Sequence, residues 1–174
     1  MGKSKAIFLD RDGVINKIVY RKGIPCSPRM LEEFKLAEDI ENVIDTLRLH
    51  GYLIFVVTNQ PDVARGTMDS KDLEKIHSYM SGKLKFDDIF VCKHDDVDKC
   101  SGRKPNIGFI TCARLSYDID LSKSFIVGDT WRDSELAENC GCRCILVDAP
   151  YNKDVKCWKR VNNISEIIKI IMEE

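Results

Sequence analysis

Ala6-Ile7-Phe8-Leu9-Asp10-Arg11-Asp12-Gly13 is a short apolar run that stops on two carboxylates. A bounded run that is apolar throughout, with no alternation, is the pattern of a strand buried on both faces. Residues 53–57, 89–91, 125–127 and 144–147 repeat it. Between the first two runs, Ile40, Val43, Ile44 and Leu47 recur at helical spacing, with Asp39 placed as the N-cap and Gly51 as the stop. Apolar periodicity predicts further helices over about 70–82, 106–117, 133–140 and 165–172. Strands that alternate with helices in this way predict an α/β fold: three layers, a central parallel sheet and helices on both faces. There is no repeat, low-complexity tract or linker, so residues 1–174 are expected to form a single domain.

Composition narrows the function. The 174 residues are 44% hydrophobic and 32% charged, and 27 Lys and Arg against 28 Asp and Glu leave a net charge of -1. No bulk positive field exists to hold nucleic acid or an anionic membrane, so anion binding must be local. The expected partner is a small molecule, with no nucleic acid and no membrane, and the chain is expected to be a monomer. Only four apolar residues precede Asp10, too few for a secretory segment, and no run approaches the roughly 18 residues of a membrane helix. A cytoplasmic protein is expected. Its eight cysteines are therefore read as thiols and not as a disulfide framework. Cys140, Cys142 and Cys144 flank Gly141 and enter a strand, as small buried hydrophobes do.

Ligands of open parallel sheets bind beyond the carboxyl ends of the strands, so the residues that follow each apolar run carry the chemistry. Asp10 and Asp12 are one residue apart; in extended chain both carboxylates leave on one face and repel each other unless a cation intervenes. Asp129 and Asp133, after the fourth run, add two more hard oxygen ligands, a set suited to Mg2+. The hydroxyl of Thr58 and the ammonium of Lys104 could bind phosphoryl oxygens beside such an ion. One of the paired carboxylates could then serve as nucleophile and the other as acid and base.

FLDRDGVIN (8–16), VVTNQ (56–60) with ARG (64–66), RKP (103–105) and GDTWRD (128–133) resemble the four motifs of the haloacid dehalogenase (HAD) superfamily of phosphatases, in order and in spacing. More narrowly, they are similar to the subfamily (IIIA) that holds heptose bisphosphate and histidinol-phosphate phosphatases. The likeness spans about residues 5 to 148 and implies a Rossmann-like HAD hydrolase domain without a cap domain. It implies that Asp10 is the nucleophile that forms an aspartyl-phosphate, and that Asp12 is the acid and base. Thr58 would bind the transferring phosphoryl group and Lys104 would offset its charge. Mg2+ would be held by Asp10, the backbone carbonyl of Asp12 and Asp129, with Asp133 ligating either directly or through an intervening group. Asn59 and Arg103 would bind substrate. The substrate so implied is a sugar bisphosphate, D-glycero-D-manno-heptose 1,7-bisphosphate losing its 7-phosphate; the alternatives are histidinol phosphate or a non-catalytic binding role. Asp62 stands after Pro61, where many members have Ser-Gly.

Two loops are expected to set selectivity over an open site: a flap around residues 14–23 and the stretch 92–102. The second also departs from the subfamily. Cys92, His94 and Cys100 match three positions of a structural zinc site, but Gly102 stands where the fourth ligand belongs. A closed site wants four ligands, so zinc would need a water or one of Asp95, Asp96 and Asp98 to complete it.

Overall fold

A computed structural model describes residues 2–174. Six strands form one all-parallel sheet in the order β5-β4-β1-β6-β7-β8. They are β1 (Lys5–Leu9), β4 (Tyr52–Asn59), β5 (Asp88–Cys92), β6 (Phe125–Gly128), β7 (Arg143–Val147) and β8 (Lys159–Val161); β2 (Val19–Arg21) and β3 (Ile24–Cys26) make a separate antiparallel hairpin. The helices are α1 (Ile40–Leu49), α2 (Ser70–Lys83), α3 (Gly108–Tyr117), α4 (Trp131–Cys140) and α5 (Glu166–Met172).

Alternation along each strand sorts the core into two layers. Ile7, Leu9, Ile54, Val56 and Val127 face α1, α2 and α5 through Ile44, Leu47, Ile76, Met80 and Ile167. Ala6, Phe8, Phe55, Val57 and Ile126 face α3 and α4 through Ile110, Ala113, Leu136 and Ala137. Both faces of the sheet are thereby buried, which is why the strands read as unbroken apolar runs. Phe55 is central to the second layer, stacked on Phe8 at 5.3 Å and meeting Tyr117 edge-on at 4.9 Å between ring centroids.

The site follows from the register. Leu9 pairs with Val56 on one side and Val127 on the other, so β1 and β6 end together, β4 runs on beside them to Asn59, and the loops after all three converge. The sequence connection leaves β1 toward β4 while β6 returns on its other side, which makes this the switch point of the sheet. Between β1 and α1 the chain forms only the β2-β3 hairpin and a short 3-10 turn. The expected helices are all present, with α4 beginning two residues earlier than its apolar pattern indicates because Thr130 and Asp133 cap it. Asp39 does precede α1, but with φ of 61° and no capping hydrogen bond from its side chain. All eight cysteines are free thiols, and no helix among the described residues is long and apolar enough to cross a membrane.

Truncation of Phe55, which is fully buried, to Ala should cost about 3–5 kcal/mol of unfolding free energy. Urea denaturation would measure it, and a loss below about 1 kcal/mol would mean that this aromatic layer is not part of the load-carrying core.

Candidate active site

Three carboxylates meet beyond the ends of β1 and β6. Oxygens of Asp10, Asp129 and Asp133 lie within 4.8 Å of one another, all on side chains that are nearly or wholly buried. A single cation sits among them: Lys104 Nζ is 2.9 Å from Asp10 Oδ2 and 2.7 Å from Asp133 Oδ1. Burial pushes the Asp10 carboxyl up to about 7, with the charges of Asp133 and Asp12 adding to the rise and Lys104 opposing it. Asp129 is driven well above the ordinary range by burial and by Asp10 and Asp133. Burial works against the Lys104 charge too, but Asp10 and Asp133 outweigh it and hold the ammonium above its ordinary value. One lysine against three carboxylates leaves the cluster short of positive charge. The donor set is all oxygen, close and partly preorganised, and fits a hard divalent cation such as Mg2+.

Close backbone approach makes room for the cluster. A Cβ at Gly128 would lie 2.1 Å from Asp133 Cγ, and one at Gly13, where φ is +80°, 2.0 Å from Asp129 Oδ2. Asp133 is the most constrained member, since its other oxygen accepts from the backbone N–H and hydroxyl of Thr130 at the start of α4. Asp129 accepts from the Tyr151 hydroxyl, and its backbone carbonyl takes the Asn152 amide at 2.7 Å.

Asp12 faces a different shell. Arg11 donates to it from Nε and Nη2 at 3.0 to 3.1 Å, Asn16 at 3.0 Å, Ser27 at 2.9 Å and Gln60 at 2.7 Å. Burial alone would raise this carboxyl, but Arg11 and the three neutral donors outweigh it and hold it below the ordinary value. Both amides turn their nitrogens to Asp12 and leave Asn16 Oδ1 and Gln60 Oε1 without partners. Behind Arg11, its Nη1 lies 3.1 Å from His77 Nε2 on α2.

The remaining candidates take varied positions. Thr58 is buried and accepts from Gln60 at 2.8 Å. Asn59 uses both ends of its amide on the backbone of Lys104, at 3.0 and 3.1 Å, and so fixes where that lysine starts. Arg103 is buried, with its guanidinium on Asp96 at 2.8 Å and on the His94 carbonyl at 3.0 Å. A cavity of about 350 Å3 collects Asp10, Asp12, Asn59, Arg103, Lys104 and Asp129, and the hairpin side contributes Ile18, Pro25, Cys26 and Ser27. Thr130, Arg132 and Tyr151 also line it. The sequence pattern did not single out Arg11, Asn16, Ser27, Gln60, His77 or Tyr151; the DRDG motif holds Arg11, but nothing in its spacing shows that the guanidinium turns inward.

Cys92, His94 and Cys100 also come together, with Cys92 Sγ 3.8 Å from His94 Nδ1 and all three donor atoms within 4.8 Å. Sulfur and imidazole donors suit zinc. Among the described residues no further group completes the shell. A Cβ at Gly102 would lie 2.6 Å from the Phe109 ring, while Asp95 is paired with Arg65, Asp96 with Arg103 and Arg132, and Asp98 with the Asp95 N–H. The trio therefore fits a zinc ion whose fourth ligand is water.

Burial and the adjacent Arg11 push His77 down to about 4. The unfolded chain, with its histidine near 6.5, then takes up the proton first as pH falls. His77 therefore adds stability above pH 6.5 that is lost as pH drops toward 4. Between pH 7 and 4.5 the wild-type protein should lose about 1–2 kcal/mol more unfolding free energy than His77→Gln, a difference readable in parallel urea titrations. Identical slopes would mean that His77 titrates normally.

Known proteins resemble the chain over nearly its whole length. A HAD-hydrolase-like family model matches residues 101–154. A D-glycero-alpha-D-manno-heptose-1,7-bisphosphate 7-phosphatase of Campylobacter jejuni is 30% identical over 99% of the chain and 98% of its own length. The enzyme of that name from Photorhabdus laumondii is 34% identical over 97% of each. The crystal structure of D,D-heptose 1,7-bisphosphate phosphatase from B. bronchiseptica, complexed with magnesium and phosphate, superposes with a TM-score of 0.84 at 26% identity, covering 97% of this chain and 98% of that one. The protein is a phosphatase, and the chain belongs to the haloacid dehalogenase superfamily.

Proposed function

We propose that the chain is a Mg2+-dependent phosphomonoesterase, a single catalytic domain with an open site, that removes the 7-phosphate of D-glycero-D-manno-heptose 1,7-bisphosphate. The observation that carries this is the buried cluster of Asp10, Asp129 and Asp133, neutralised only in part by Lys104, at the floor of a cavity at the switch point. The substrate rests on the names of the full-length relatives.

Mg2+, held by Asp10, Asp129 and the carbonyl of Asp12, would draw charge off the phosphoryl oxygens. Asp133 supports the cluster through Lys104 and Thr130. An oxygen of Asp10 attacks phosphorus, and Lys104 orients it while balancing the charge on the transferring group. The ester bond breaks, and the leaving oxygen takes its proton from Asp12, whose carboxylate binds that proton once the substrate phosphate stands beside it. Water then attacks the aspartyl-phosphate, giving its proton to Asp12 and releasing phosphate, which restores both carboxyls. Thr58, buried beside Gln60, would offer its hydroxyl to the phosphoryl group, Asn59 places Lys104, and Arg103 reaches the cavity wall to meet the rest of the substrate.

Phosphate release with Mg2+ across a panel of heptose 1,7-bisphosphate, hexose bisphosphates, histidinol phosphate and nucleotides tests the reading. The heptose bisphosphate should be preferred, and Asp10→Asn should lower its turnover by at least about 10^3-fold. Preference for histidinol phosphate would replace the substrate, and release independent of Asp10 would remove the mechanism.

We also propose that Cys92, His94 and Cys100 hold zinc with water as the fourth ligand, tying the loop after β5 to the strand end. Protein purified without chelator should contain about one zinc per chain, and Cys100→Ser should lose it and melt several degrees lower. Metal analysis that finds no zinc in protein refolded with it would dispose of the site.

A further inference from the structure

The shell around Asp12 continues one layer beyond the groups that touch it. Arg11 is completely buried, and its guanidinium has no acceptor of its own, so every N–H must find one inside the protein. Nε and Nη2 go to Asp12; Nη1 meets His77 Nε2 at 3.1 Å. Because the arginine can only donate, Nε2 must carry the lone pair, which fixes the imidazole as neutral with its proton on Nδ1. A planar guanidinium transmits orientation: pinning Nη1 from the α2 side sets the plane in which Nε and Nη2 grip the carboxylate. No other side chain accepts from Nη1 among the described residues, and the Phe34 ring, 6.0 Å from Arg11 Cζ, offers only its face.

We propose that His77 is a positioning residue for hydrolysis: it accepts from Arg11, fixes the guanidinium plane, and so holds the Asp12 carboxyl aimed at the leaving-group oxygen. This rests on the reading of Asp12 as the acid and base. His77 touches neither substrate nor the reacting atoms. It lies on α2, 66 residues along the chain from Arg11, so this contact links the loop after β1 to the helix after β4. The arrangement follows the way outer groups orient ligands and acids elsewhere, where their loss costs activity without removing the reacting group.

The test uses two esters that differ in their need for an acid. An alkoxide leaving group must be protonated as the bond breaks, whereas p-nitrophenolate departs unaided, and kcat/KM reports only steps through that departure. His77→Leu should lower kcat/KM for heptose 1,7-bisphosphate about tenfold, with KM nearly unchanged, and leave p-nitrophenyl phosphate within about twofold. His77→Gln, whose side-chain oxygen can accept from Nη1, should restore most of the loss. His77→Met serves in place of Leu if the latter does not fold. An equal loss on both esters, no loss on either, or failure of Gln to restore the selective loss would overturn the proposal. Asp12→Asn run alongside separates the two levels. If it is selective for the alkyl ester and His77→Leu is not, only the role of His77 falls; if Asp12→Asn depresses both esters alike, the acid and base assignment falls and the role of His77 with it.

Discussion

The buried bridge from Asp10 through Lys104 to Asp133 is the contact on which the site depends. It joins three separate elements: the end of β1, the segment before α3 and the first turn of α4. Removing one partner would leave a charge unpaired in a desolvated place, which costs far more than the pair itself contributes. The backbone is shaped around it. Gly128 ends β6 without a side chain because the Asp133 carboxyl occupies that space, and Gly13 turns at positive φ beneath Asp129. A sheet strand, a helix cap and a tight turn are thus set by where three carboxylates must stand.

A second constraint separates two aspartates that are one residue apart in sequence. Asp10 lies among like charges, where burial and neighbouring carboxylates raise its pKa; Asp12 lies among donors, where Arg11, Gln60, Ser27 and Asn16 lower it. The two carboxyls therefore titrate in different ranges, and a divalent cation held by Asp10, Asp129 and Asp133 would bring Asp10 back to the ionised form that a nucleophile needs. The cost is visible. Asn16 and Gln60 leave amide oxygens buried and unpaired so that their nitrogens can serve one carboxylate, and rotating either amide would set an oxygen against that same anion. Unpaired buried polar groups destabilise a fold, so their concentration around Asp12 is stability given up for function.

What could be read from the sequence follows from the range of each interaction. The strands were legible because a doubly covered parallel strand has no polar face, and the helices because their apolar stripes repeat. Asp10, Asp129, Asp133 and Lys104 were legible because strand ends are where such sheets bind ligands, and all four do meet there. The hairpin was not legible as strands: β2 and β3 have three residues each and pair only with one another. Nor was the interior course of Arg11, since a guanidinium beside two carboxylates reads equally well as solvated. Arg103 shows the same limit. An arginine next to a lysine is ordinarily exposed, and only the folded loop, with Asp95 and Asp96 turned back toward it, explains its burial.

Those same aspartates extend into a chain of ion pairs that reaches the cavity wall at Arg103 and Arg132. Arg29 pairs with Asp62 at 2.6 Å, Asp62 lies 3.9 Å from Arg65, Arg65 pairs with Asp95 at 2.6 Å, and Asp96 joins Arg103 at 2.8 Å to Arg132 at 3.1 Å. Single pairs at such a surface contribute little. Their effect here is geometric, because successive members come from the segment after the hairpin, the loops after β4 and β5, and the start of α4. Asp62, which departs from the Ser-Gly pattern of many subfamily members, is the link between the hairpin side and the β4 loop. With no cap domain to enclose it, the cavity is walled by the hairpin side, Tyr151 and, through Arg103 and Arg132, these loops, which the ion pairs tie to one another.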